Sequence, residues 1–189
     1  GEKAYITGAY QFVCSQKQPW LESRIQEYAK QGMRVLVLAR GSIIGNALKE
    51  LNTPREKVVI ASKVYFNPGK LSKEAIIREC DQSLKRLQTD YLDLYQIHRF
   101  DYDTPIEETM KALNELVKSG KVRAIGASAM YAYQFHNMQV VAKEHGWTLF
   151  STMQNHYNLL CREDEREMIP VCNQYNVSLI PYSPLAGGH

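Results

Sequence analysis

The chain has 189 residues, of which 44% are hydrophobic and 23% are charged, and its net charge is +3. This composition is typical of a globular domain and excludes collagen-like, low-complexity and disordered chains. So small a charge, without a run of basic residues, argues against a nucleic-acid or membrane partner. No apolar stretch could span a bilayer, no signal peptide begins the chain, and the four cysteines lack metal-ligand spacing. We therefore expect a cytoplasmic protein with reduced thiols and no bound metal.

Six short runs rich in β-branched residues alternate with longer segments in which apolar residues recur with helical periodicity. The runs are residues 34–39, 57–63, 91–98, 122–128, 149–155 and 177–182. The last five start 27 to 34 residues apart, which is the length of one strand followed by one crossover helix. This alternation predicts a parallel sheet, either open or closed into a barrel.

N-cap residues and C-terminal glycines indicate where the helices between these runs begin and end. Ser72 is placed to cap one helix, and Thr104 followed by Pro105 predicts a capping box at the start of the next. Gly120 and Gly146 stand where two helices are expected to end.

A polar residue ends nearly every run, whereas no glycine-rich phosphate-binding motif follows any of them. These residues are Lys63, His98, Ser128, Gln154 and Tyr182. Because (β/α) barrels build their active sites at the carboxyl ends of the strands, we predict a TIM-barrel-like fold with about seven strands instead of eight. An incomplete barrel has open edges, so we expect a homo-oligomer that covers them.

Residues 43–189 resemble the aldo/keto reductases, in particular the fungal aryl-alcohol dehydrogenase-like branch. The motifs that carry the resemblance are residues 44–50, 54–63, 90–98, 120–128, 153–155 and 182–185. The resemblance implies an oxidoreductase that moves hydride between NADP(H) and an aldehyde or ketone, such as an aryl aldehyde.

The resemblance also implies roles for individual residues. Lys63 falls on the catalytic lysine, and His98 falls on the histidine that orients the substrate carbonyl by a hydrogen bond. Ser128 and Gln154 are implied to hydrogen-bond the nicotinamide carboxamide, and Tyr182 to stack on the ring. Further cofactor-binding positions are Asn155, Ser183 and Leu185.

Each of these side chains also has a purely structural interpretation. Lys63 alone is typical of a solvated lysine, and His98 of a packed core histidine. Ser128 can cap a helix, Gln154 can be a strand-end amide, and Tyr182 can be a core aromatic residue. The order and spacing of the motifs favour the functional interpretation.

The sequence departs from the family pattern in three places. Val37 stands about where the family has an aspartate, and no segment before Ile43 matches the one that carries the catalytic tyrosine. The chain stops at His189, before the family's basic segment for the cofactor 2′-phosphate. We therefore expect impaired catalysis and weak or absent NADP binding, with His98 the best remaining acid and Tyr65 the nearest candidate to replace the tyrosine.

Residues 1–40 are similar to part of the nucleotide-binding domain of P-type cation ATPases, with Thr7 and Tyr10 where that family has Lys and Pro. We interpret residues 1–40 as a strand–helix–strand segment, either of foreign origin or completing the barrel, and residues 41–189 as the reductase-like segment. The alternative function is a non-catalytic or engineered chimera that self-associates. A nucleotide-binding module in residues 1–40 is least favoured, because the segment is too short to enclose ATP.

Overall fold

The computed structural model describes residues 41–188. The predicted strand at 34–39, the ATPase-like segment and Val37 lie outside the described residues. The chain divides into two compact units. The described part of the first unit comprises residues 41–60 and 83–89, and that of the second comprises residues 61–82 and 90–188.

The first unit is held together by a close helix–helix approach. Helix α1 (Gly41–Glu50) meets the end of α2 (Lys73–Leu87) at Gly45, where an added Cβ would lie 2.8 Å from the Leu87 carbonyl oxygen. Only glycine permits this approach without moving backbone. After a 3₁₀ turn (Arg55–Lys57), the Arg55 side chain donates to the Val58 carbonyl at 2.9 Å.

The second unit contains a five-stranded sheet in which each strand pairs in parallel with the next along the chain. The strands are β1 (Ala61–Val64), β2 (Leu92–Ile97), β3 (Val122–Ser128), β4 (Phe150–Gln154) and β5 (Ser178–Leu179). The helices that follow the first four strands are α2, α3 (Ile106–Lys118), α4 (Ala132–Glu144) and α5 (Met168–Gln174), the last preceded by a 3₁₀ turn (Glu163–Glu165). Sequential parallel strands with crossover helices confirm the predicted incomplete (β/α) barrel.

The strand predictions differ from the structure mainly at their ends. β3 spans the predicted residues, and β2 and β4 are one residue shorter at each end. β1 begins only at Ala61, and the run at 177–182 pairs only at Ser178–Leu179, with one isolated bridge between His156 and Tyr182. Backbone pairing, which β-branched composition does not specify, sets these limits.

The helix signals were correct at three of four positions. Ser72 Oγ accepts a hydrogen bond from the Ala75 N–H at 3.3 Å, and Gly120 and Gly146 adopt left-handed φ angles of +78° and +64°. The capping box at Thr104 was wrong. Its hydroxyl donates instead to Asp101 Oδ2 at 2.7 Å, and α3 has no side-chain cap.

A β-bulge in β4 changes which face of the sheet the following side chains point to. Ile125 pairs with Phe150, but the next residue, Gly126, pairs with Thr152, so Ser151 is the extra residue in β4. Phe150 therefore packs toward α4, with its ring 5.9 Å from that of Phe135, while Thr152 faces the opposite side. Bulges commonly redirect side chains in this way.

The face opposite these helices is called the inner face, and it carries one row of residues in hydrogen-bonded register. The row is Lys63, Gln96, Gly126, Thr152 and Ser178. Because side chains alternate along a strand, residues two positions further along, such as His98, Ser128 and Gln154, share this face.

The three cysteines in the described part of the chain are free thiols, as predicted. Cys80 and Cys172 are buried and Cys161 is half-buried. Burial raises the pKa of Cys80 to about 12 and that of Cys172 to about 11, so both stay protonated at neutral pH. Among residues 41–188, no helix is both long and apolar enough to cross a membrane.

Candidate active site

The ends of β1 and β2 bring the two predicted catalytic residues together. Lys63 is the penultimate residue of β1, and His98 follows the last residue of β2. The His98 N–H donates to the Val64 carbonyl at 2.9 Å, which continues the ladder past β2. Lys63 pairs with Gln96, and His98 follows Gln96 by two residues. His98 is therefore on the same inner face as Lys63 and nearer the carboxyl end of the strands.

Burial lowers the pKa of both side chains, and neighbouring positive charges lower that of His98 further. Both residues are half-buried, and burial lowers the pKa of Lys63. The pKa of His98 is lowered first by burial and then by the positive charges of Lys63 and Arg99. His98 is therefore biased toward the uncharged imidazole at neutral pH, with one N–H to donate and one nitrogen to accept.

An exposed aromatic ring borders this pair. Phe66 is 67% exposed, and its ring meets that of His98 edge to face with centroids 4.7 Å apart. The Arg99 guanidinium lies 5.7 Å from the Phe66 centroid. This arrangement provides an apolar surface beside the imidazole where a planar group can pack.

Tyr65 packs against the same Phe66 ring that contacts His98. Its ring packs edge-on against Phe66, with centroids 5.3 Å apart. The pKa of Lys70 is raised chiefly by its hydrogen bond to Asp103, with a smaller electrostatic contribution from Tyr65. The structure thus associates Tyr65 with Lys70, and its role as a replacement acid stays a prediction.

Ser128 and Gln154 are neighbours at the ends of β3 and β4. They pair in register, and Ser128 Oγ donates to the Gln154 carbonyl at 2.8 Å. Ser128 is only 2% exposed, and its proton is used within the protein, so its remaining capacity toward a ligand is as an acceptor. Helix α4 begins after Tyr131, so the interpretation of Ser128 as its cap was wrong.

Asn155 and Tyr182 meet beyond β4 and β5. Asn155 is buried, its Nδ2 donates to Asp164 Oδ2 at 2.7 Å, and its Oδ1 is a buried acceptor without a partner. Tyr182 is 44% exposed and stacks on His156 with centroids 4.9 Å apart. The interpretation of Tyr182 as a core aromatic residue was therefore wrong, and one face of its ring is already occupied by His156.

These two residues line a cavity of about 190 Å³. Its other lining residues are Ala129, Met130, Met153, His156, Cys161, Glu163 and Asp164. A cavity of about 150 Å³ can hold a benzene ring, so this cavity has the volume of a single aromatic ring. An unpartnered acceptor and an aromatic wall suit a ring that bears a carboxamide donor.

Ser183 and Leu185 lie in the loop that follows this strand end. The Ser183 carbonyl accepts hydrogen bonds from Asn158 Nδ2 and from the Ala186 N–H, each at 3.0 Å. Leu185 is 75% exposed. Both residues border the same end of the sheet as the other predicted cofactor residues.

Sequence reasoning missed a buried carboxylate that joins the loops after β1 and β2. Asp101 is 4% exposed and accepts hydrogen bonds from the Leu71 N–H at 3.2 Å, the Asp103 N–H at 3.1 Å and the Thr104 hydroxyl at 2.7 Å. Burial alone would raise the pKa of Asp101, but these hydrogen bonds and the charge of Lys70 outweigh it and lower the pKa. The available signal was the acidic residue three positions after His98.

In the part of the chain that the structure describes, the inner face also contains two buried polar atoms without partners, which sequence reasoning missed. They are Gln96 Nε2 and Thr152 Oγ1. An added Cβ on Gly126 would lie 2.2 Å from Thr152 Oγ1 and 3.1 Å from Gln96 Cγ. Gly126 therefore makes room for both neighbours, and a glycine within a strand was the signal for such an approach.

The aldo/keto reductase family model matches residues 41–189. The chain belongs to the aldo/keto reductase family. An aldo-keto reductase of Fusarium vanettenii is 47% identical over 174 aligned positions, covering 77% of this chain and 47% of the relative. The versiconal hemiacetal acetate reductase of Aspergillus parasiticus is also 47% identical, over 169 positions. This alignment covers 77% of this chain and 49% of the relative.

Fungal aryl-alcohol dehydrogenase-like proteins are similar as well. One from Schizosaccharomyces pombe is 43% identical over 173 positions, covering 77% of this chain and 49% of the relative. The predicted family and branch are confirmed, while the foreign origin of residues 1–40 stays a prediction. This aldo/keto reductase chain spans about half the length of the curated relatives it matches.

Proposed function

We propose that this chain forms part of an oxidoreductase that binds an aldehyde or ketone at Lys63 and His98 for hydride transfer with NADP(H). The observation that carries the proposal is the pairing of these two half-buried side chains at adjacent strand ends, next to the exposed ring of Phe66. An aryl aldehyde fits this apolar surface. The names of the fungal relatives support this substrate class.

The chemistry of these residues is orientation and charge stabilisation. A neutral His98 donates its N–H to the carbonyl oxygen and fixes the carbonyl in one orientation. Lys63, when protonated, stabilises negative charge as it develops on that oxygen. A bound nicotinamide supplies the hydride.

The second group of residues is proposed to hold the nicotinamide. Asn155 Oδ1 and Ser128 Oγ are acceptors suited to the carboxamide N–H groups, Gln154 is suited to the carboxamide oxygen, and Tyr182 offers its free ring face. Ser183 and Leu185 would border the same molecule. The buried, unpartnered Asn155 acceptor is the strongest support for this assignment.

Turnover by this chain is proposed to be impaired, because the sequence pattern before Ile43 does not match the segment that carries the family's tyrosine acid. Loss of a general acid typically reduces the rate by about 10²–10⁴-fold. The test measures NADPH oxidation with benzaldehyde for the parent and for His98→Ala, Tyr65→Phe and the matched controls His145→Ala and Tyr133→Phe.

We expect the parent rate to be near background. Any remaining activity is expected to be lost only in His98→Ala. Robust parent activity would refute the impairment. Selective loss in Tyr65→Phe would identify Tyr65 as the acid. Equal losses in His98→Ala and His145→Ala would refute the role of His98.

A non-catalytic, self-associating protein is the second candidate. Leu159, Leu160 and Leu185 are exposed by 92%, 75% and 75%, and exposed apolar residues favour association. Light scattering over a micromolar concentration range tests this candidate. A constant monomer mass would contradict it.

A further inference from the structure

Lys63 is half-buried and differs from three other lysines of its unit, which form ion pairs. Lys70, Lys73 and Lys121 each form an ion pair, with N–O distances of 2.5, 2.9 and 2.6 Å to Asp103, Glu115 and Asp81, respectively. Lys63 forms no ion pair or hydrogen bond to any residue in the described part of the chain. The neutral amine of such a lysine forms more readily than that of a paired lysine, since no carboxylate stabilises the charged form.

The surroundings of Lys63 add to this availability. The residue is half-buried at a strand end, and its charge is close enough to His98 to affect that imidazole. The two charged groups that affect His98, Lys63 and Arg99, are both positive. Partial burial and a neighbouring positive charge are the conditions that activate a lysine as a nucleophile.

We propose that the Lys63 amine forms a reversible imine with small aromatic aldehydes. The neutral Nζ attacks the carbonyl carbon, a C–N bond forms, and the π electrons of the C=O bond move to oxygen. His98 relays the two protons that nitrogen loses. The first converts the oxyanion to a hydroxyl, and the second lets that hydroxyl leave as water as the C–O bond breaks and the C=N bond forms. One aldehyde and one amine thus give one imine and one water, with no change in oxidation state.

The substrate class follows from the ring beside the pair. Phe66 presents an exposed aromatic surface 4.7 Å, centroid to centroid, from His98, where a planar aldehyde can pack while its carbonyl reaches Lys63. This activity rests on the proposed function only in placing carbonyl compounds at the ends of β1 and β2. It requires neither NADP(H) nor a tyrosine acid.

The experiment traps the imine by reduction in the absence of nicotinamide. The 189-residue chain is incubated at neutral pH with benzaldehyde and sodium cyanoborohydride, and peptide mass spectrometry then measures the benzyl adduct at each lysine over time. We expect Lys63 to be labelled several times faster than Lys73 or Lys121. In Lys63→Arg this fast labelling is expected to disappear, whereas the matched control Lys121→Arg is expected to keep it.

A further variant tests whether fast labelling of Lys63 depends on His98 or only on the solvent exposure of the lysine. His98→Gln is expected to slow labelling at Lys63 without changing labelling at Lys73, and circular dichroism checks that each variant is folded. Labelling of Lys63 at or below the rate of Lys121 would overturn the proposal, as would fast labelling unaffected by His98→Gln. Because the assay contains no NADPH, a failed reduction assay and a failed trapping assay are independent results.

Discussion

The ends of β1 and β2 differ from the ends of β3 to β5 in how their polar side chains are used. At the first pair of ends, Lys63 has no polar partner in the described residues and burial lowers its pKa. At the second set, Ser128 and Asn155 already donate to protein acceptors. The contrast supports the proposal that carbonyl chemistry occurs at the β1–β2 end and that the β3–β5 end holds a ligand in a fixed orientation.

The largest effect on stability is expected from Asp101→Ala, at the β1–β2 end. This change removes the carboxylate that joins the loops after β1 and β2 by hydrogen bonds. The Leu71 N–H would lose its buried partner, so we expect unfolding free energy to fall by about 3 kcal/mol. Urea denaturation measures the change. Asp103→Ala, at a carboxylate whose side chain is 76% exposed, is the matched control and is expected to stay within about 0.5 kcal/mol.

The same carboxylate predicts a pH dependence. The folded-state pKa of Asp101 lies below its ordinary value of 3.8, so its contribution to stability is complete above that value and is lost as the pH falls through the lower, folded-state pKa. Asp101→Asn is therefore expected to lose less stability than the parent between pH 4 and the acid unfolding midpoint. Parallel acid titrations that show equal losses would contradict this assignment.

The next effect concerns β3, the strand of the second region that pairs with β2. Gly126→Ala places a Cβ 2.2 Å from Thr152 Oγ1, and such overpacking typically costs about 1–3 kcal/mol. Because Thr152→Ala removes the clashing atom, we expect the double variant to be more stable than Gly126→Ala alone. Strictly additive losses in a double-mutant cycle would show that the clash is relieved elsewhere.

A smaller effect is expected from Ser128→Ala, at the end of the sheet proposed to hold the nicotinamide. The change removes the hydrogen bond to the Gln154 carbonyl and is expected to lower the unfolding free energy by about 1 kcal/mol. Fluorescence titration with NADPH supplies a second readout. An unchanged cofactor affinity would remove Ser128 from the proposed nicotinamide site.

The smallest effect is expected from Thr152→Val. The Thr152 hydroxyl is buried without a partner, so its replacement by a methyl group of similar shape is expected to be neutral or slightly stabilising. Thermal denaturation measures the difference. A loss of more than about 1 kcal/mol would indicate that the hydroxyl binds a buried water molecule.

The sequence predicted the parts of the fold that depend on local periodicity. The run at 122–128 matches β3 over its whole length, and the order of strand-end residues placed Lys63 and His98 on adjacent strands. Composition and spacing carry this information because apolar alternation and crossover length are local properties.

Side-chain partners were less predictable, because they depend on residues distant in sequence. The Thr104 hydroxyl was expected to cap α3 but donates to Asp101, which is itself fixed by the Leu71 N–H thirty residues earlier. The bulge at Ser151 reverses the direction of the side chains that follow it, and no residue in β4 signals it. Tyr65 shares the spacing of the site residues, yet its ring packs against Phe66.

The half-buried thiol in the cavity wall offers a chemical reporter of occupancy. Cys80 and Cys172 are buried and stay protonated, whereas Cys161 lines the 190 Å³ cavity beside Asn155. In a Cys14→Ser background, alkylation by iodoacetamide should therefore concentrate at Cys161. A molecule seated against Asn155 would slow that alkylation, so the rate of a simple labelling reaction reads out ligand binding without any turnover.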